Sequence, residues 1–113
     1  MKQLQLKGTL IPAMLLVLLF AGNALAHKVN LFAYVENGKI FTESYFPDGR
    51  PVEGGKVLVY DSNGKQLLAG TTNKEGFFNF AIPKVDDLKI VIEATMGHRN
   101  SFRLKKTEVE AGQ

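Results

Sequence analysis

The chain has no cysteine and no tryptophan, and its 113 residues include only two histidines and four prolines. Without cysteine there is no disulfide, no thiolate nucleophile and no lipid-anchor cysteine. The fold must hold by packing alone. Two histidines leave little for acid–base catalysis. No Ser-His-acid set and no nucleophile elbow occurs. The adjacent carboxylates Asp86 and Asp87 point to opposite faces of an extended chain, so they cannot flank one substrate bond. Asp61-Ser62-Asn63-Gly64 opens like a calcium loop but lacks the downstream glutamate, and reads as a turn. A non-enzymatic role is expected.

Long hydrophobic runs are also scarce. The single one lies at the N-terminus, where Lys2 and Lys7 precede an apolar stretch from Leu10 to Ala21 broken only by Pro12. Ala24-Leu25-Ala26 follows as a small-x-small cleavage site. This is the pattern of a secretory signal peptide, and the run is too short for a good membrane span. Residues 1–26 are therefore expected to be removed, leaving an extracytoplasmic chain that begins at His27. The formal charge of +3 shrinks with them. Two of the 14 basic residues depart, so twelve face 11 acidic ones. A nearly neutral chain gives no electrostatic case for nucleic acid.

What remains is rich in short alternating runs and glycine turns. Val29, Leu31, Ala33 and Val35 fall on one face of a first strand, and Asn37-Gly38 is a two-residue hairpin turn. Pairing across it sets residue numbers that sum to 75, so Val35 meets Ile40 and Leu31 meets Ser44. The other face carries Phe32, Tyr34, Phe41 and Tyr45. These four aromatics mark either a contact surface or cross-strand packing covered in part by the C-terminal tail. Further strands are expected from Lys56, Lys65, Phe77, Leu88 and Ser101, with Asp48, Gly49 and Pro51 serving a turn. The sum is an all-β, seven-stranded antiparallel sandwich over 27–106, followed by a polar, disordered tail at 107–113. Arg99, Arg103, Lys105 and Lys106 read as a solvated edge.

Short connections sort the loops by parity. The mature N-terminus, the 47–54 loop, the 73–76 turn and the 96–100 loop gather at one end. His27 and His98 would then share that end with Met96. An N-terminal amine and its own imidazole chelate nickel, cobalt or copper, and a second imidazole adds a third nitrogen. Met96 offers a soft sulfur, and Glu43 or Asp48 a carboxylate. The alternative is that His98 serves only as a loop donor or a hydrogen-bond partner for Asn100 or Glu43.

The segments His27-Lys-Val-Asn-Leu-Phe-Ala-Tyr-Val-Glu, Tyr45-Phe-x-Asp-Gly-x-Pro-Val, Asp87-Leu-Lys-Ile-Val and Met96-Gly-His-Arg resemble one family over about residues 27–104. It is the small accessory extracytoplasmic component of energy-coupling-factor-type nickel/cobalt transporters. The Gly49-to-Phe80 pattern is also similar to carboxypeptidase-regulatory-like and transthyretin-like sandwiches, which host many functions. The resemblance implies an immunoglobulin-like or transthyretin-like sandwich acting in Ni2+ or Co2+ uptake beside an integral membrane subunit. It makes His27, Met96 and His98 the distinctive positions. Related subunits often carry a C-terminal membrane helix, which this sequence lacks, so either attachment by protein contact or action as a soluble carrier is expected. The aromatic face of Phe32, Tyr34, Phe41 and Tyr45 is then the docking surface. The alternatives are a docking module that never touches metal, a periplasmic Cu2+-binding protein, and a generic adhesion or carbohydrate-binding module.

Overall fold

A computed structural model describes residues 28–113. The expected signal peptide and His27 lie outside the described residues. The strands are β1 (Asn30–Glu36), β2 (Lys39–Tyr45), β3 (Lys56–Tyr60), β4 (Gln66–Thr71), β5 (Phe77–Ala81), β6 (Leu88–Glu93) and β7 (Arg99–Leu104). They form two antiparallel sheets, one ordered β1-β2-β5 and the other β4-β3-β6-β7. Among the described residues the fold is all-β with seven strands, as the alternation requires.

The first hairpin has the expected register, from Asn30 opposite Tyr45 to Glu36 opposite Lys39. Asn37 and Gly38 both take positive φ, at 50° and 78°. That is the turn geometry whose twist matches the two strands. With register fixed, every second residue is committed inward. Leu31, Ala33, Ile40, Thr42 and Ser44 are buried, and Val57, Val59, Leu88, Ile90, Ile92 and Leu104 face them from the other sheet.

The sheets also meet where β5 lies over β4. The Phe78 ring sits on Gly70, so close that a Cβ at position 70 would fall inside it. The inward hydroxyls of β2 bond to β5 and the turn before it. Thr42 Oγ1 donates to the Phe78 carbonyl at 2.7 Å and Ser44 Oγ to that of Gly76 at 3.0 Å. No buried side-chain polar atom among the described residues lacks a partner, which a small core without disulfides needs.

The tail corrects the sequence reading. Residues Lys106–Ala111 form a short helix, α1, and Val109 is fully buried in the core. The polar composition of 107–113 hides one apolar residue at the position where the open end of the sandwich needs a plug. The Asp87 carboxylate accepts from Lys106 N at 2.7 Å, and the Gly112 carbonyl accepts from Gly38 N at 2.7 Å. The tail therefore seals this end of the sandwich by docking on β1 and the first turn.

Charged groups fasten the same end. Asp61 accepts from the backbone of Asn63 and Lys65, both at 2.9 Å, and pairs with Lys84 at 3.0 Å. Asp86 accepts from Ser62 N and Oγ at 3.1 and 2.8 Å. The bonds from Ser62, ahead of the nearby Lys84 charge, hold the Asp86 carboxyl at about 2, below its ordinary 3.8.

Two outcomes are expected. Gly70→Val should lower stability by about 1–3 kcal/mol by wedging the sheets apart, measured by urea unfolding. Asp86 stabilises the fold fully above about pH 4 and loses that contribution as pH falls through about 2. The thermal midpoint of the parent chain should therefore drop more steeply over that interval than that of Asp86→Asn; parallel curves would contradict it.

Candidate functional site

The loops at the end opposite α1 enclose an open hollow of about 550 Å³, lined by Phe46, Pro47, Asp48, Arg50, Thr95, Met96 and His98. Its floor comes from the end of β2, and its walls are the loop after β2 and the turn between β6 and β7. Pairing fixes both walls. Val52 N donates to the Ser44 carbonyl at 3.1 Å, and Thr72 Oγ1 bridges from Gly55 N to the Val52 carbonyl. On the other side Ala94 N donates to the His98 carbonyl at 2.8 Å, closing the tight loop that carries Met96.

His98 Nδ1 lies 2.8 Å from the Thr95 carbonyl, so this nitrogen is the donor. In the neutral ring the lone pair is then on Nε2. The imidazole stands edge-on to the Phe46 ring, with centroids 5.4 Å apart and planes at 85°. Met96 is 83% exposed and takes φ 62°, ψ 30°, the left-handed region that a methionine rarely adopts. Local strain of this kind collects at functional loops.

The structure thus brings Met96 and His98 to one hollow with Asp48, joining the 47–54 and 96–100 loops that parity put at one end, while His27, also placed there, lies outside the described residues. It separates other candidates. Glu43 lies on the outer face of the three-stranded sheet, where its carboxylate accepts from the Tyr45 hydroxyl at 2.9 Å. Asp48 does line the hollow, but it serves the turn. Its carboxylate accepts from Arg50 N at 3.0 Å and from Arg50 Nε at 2.7 Å. The backbone bond, then the side-chain bond, holds its carboxyl below the usual range. Asn100 does not hold His98; its Nδ2 donates to the Val29 carbonyl at 2.6 Å. That bond draws the start of the described chain beside β7, two residues beyond His98. Among the described residues no three His, Cys, Asp or Glu side chains stand close enough to hold a metal ion.

Sequence reasoning missed Phe46 and Arg50. The guanidinium of Arg50 lies 5.0 Å from the Phe46 centroid, over the ring. The spacing of an aromatic and an arginine around a Pro-Asp-Gly turn was the available signal, because such a turn folds the two together.

The outer aromatic face is real and larger than the four residues expected. Phe32 and Tyr34 are 55% and 46% exposed, Tyr34 stacks on Phe41 at 5.3 Å, and Phe77 joins from β5 opposite Glu43. The C-terminal residues do not cover it, since they plug the core instead.

These features define an all-β sandwich module with a loop-built hollow at one end and an aromatic outer face. Over 91 residues the chain is 32% identical to an uncharacterized protein of Haemophilus influenzae, a match covering 78% of this chain and 56% of that protein. The chain thus spans little more than half the length of that relative. No family model and no solved structure matches this chain.

The strained loop gives a direct check. Met96→Gly should raise stability by about 0.5–1 kcal/mol by relieving the left-handed backbone, and Met96→Val should lower it, both read from denaturant midpoints.

Proposed function

We propose that this chain is an extracytoplasmic accessory module that presents Ni2+ or Co2+ to an integral membrane transporter. The observation that carries the reading is the oriented imidazole of His98. Its Nδ1 proton is committed to the Thr95 carbonyl at 2.8 Å, in a hollow shared with the Met96 thioether. A carbonyl behind the ring is the usual partner of a metal-binding histidine, because it fixes the tautomer and raises basicity. Imidazole suits nickel, cobalt and copper.

His98 and Met96 form a partial donor set, which suits hand-over better than storage. His27, outside the described residues, would contribute its amine and imidazole. The bond between Asn100 and Val29 supports this, since it draws the chain two residues after His27 to the start of β7.

A second reading, a docking module that holds no metal, draws support from the aromatic face. Phe32, Tyr34 and Phe77 are 55%, 46% and 39% exposed.

Calorimetric titration of Ni2+, Co2+ and Cu2+ into the chain beginning at His27 separates the two. Stoichiometric binding, weakened at least about tenfold in His98→Ala and by one extra residue before His27, is the expected result. Absence of binding, or binding indifferent to His98, would leave the docking role.

A further inference from the structure

The geometry points to a cargo that enters the hollow as a chelate with a small carboxylate-bearing molecule, not as a bare ion. This rests on the metal reading above. The first observation is size. A divalent ion with six waters takes up roughly 180 Å³, whereas the hollow measures about 550 Å³, the range of small-molecule sites.

The second is Arg50. Its Nε is held by Asp48 Oδ2 at 2.7 Å, and its guanidinium lies over Phe46, 5.0 Å from the centroid. Two contacts thus orient the planar group, whose side chain is 71% exposed, while Nη1 and Nη2 make no hydrogen bond among the described residues. A guanidinium restrained in this way presents a two-pronged donor suited to a carboxylate.

The third is the shared wall. Phe46 carries Arg50 over its ring and meets the imidazole of His98 at 85°. The anion-binding fork and the candidate metal ligand are therefore positioned by one side chain. Among the described residues Asp48 is the one carboxylate lining the hollow, and both its oxygens are engaged by Arg50. A hydroxycarboxylate or an amino acid, bound to the ion through part of its donors, would complete the coordination shell and give Arg50 its partner.

The test is calorimetry on the chain beginning at His27 with three probes: Ni2+ alone, nickel citrate, and the carboxylate-free chelate nickel diethylenetriamine. Nickel citrate should bind at least about tenfold more tightly than either other probe, the worth of one charge-assisted pair. In Arg50→Gln the ratio of the citrate and bare-ion affinities should fall to about one, and Arg50→Lys should recover only part of it. Ni2+ binding as tightly as nickel citrate, or a ratio unchanged in Arg50→Gln, would overturn the inference and leave the metal reading standing. Citrate alone binding as tightly as its nickel complex would overturn the chelate. Failure of every nickel species to bind would remove both.

Discussion

The molecule depends on a polar knot at one end of the sandwich. Ser44 gives both its N–H and its hydroxyl to the Gly76 carbonyl, at 2.9 and 3.0 Å, and its own carbonyl takes Val52 N at 3.1 Å. Thr72 ties Gly55 and Val52 together through one hydroxyl. Both side chains are buried, so each bond replaces water that cannot enter. In a domain of this size apolar burial leaves a narrow margin, and the knot gives the two sheets a definite spacing without a disulfide. It also anchors the loop that carries Asp48 and Arg50. The hollow exists because the core needs that closure.

The sheet system was legible because its signals are local. Asn37-Gly38 set the turn, the turn set the register, and the register set both faces of the hairpin. Alternation in Leu88–Glu93 likewise announced β6, with Leu88, Ile90 and Ile92 inward. Signals carried by few residues were harder to read. Val109 is the one large apolar side chain in a polar tail, and its role depends on the distant gap it fills. Strand β7 begins at Arg99, two residues earlier than the sequence suggested, because pairing with Glu93 extends it. Met96 and His98 were legible as chemistry, and loop parity put their loop beside the one that carries Asp48. Arg50 was not, since its value comes from lying over Phe46, a contact between side chains on either side of a turn.

The two outer faces differ in kind. On β1-β2-β5 aromatic rings surround Glu43. On β4-β3-β6-β7 the buried pair Leu58 and Val91 is flanked by register rows containing Lys56, Glu93 and Arg99 on one side and Tyr60, Lys89 and Arg103 on the other. The stems of such long cations shelter aliphatic groups while their heads stay in water. A sheet so dressed resists edge and face association. The aromatic sheet has no comparable cover among the described residues, and its Phe32 and Tyr34 stay 55% and 46% exposed.

The short C-terminal helix bears on how the molecule can be handled. Gly112 is bonded to Gly38 at the first turn, whereas Val29 is bonded to Asn100 near the hollow. The length of a seven-residue strand, about 23 Å, separates these two places. A linker fused after Gln113 therefore departs on the side remote from His98 and Arg50. Molecules fixed to a surface by that linker would stand with the hollow turned toward the solution.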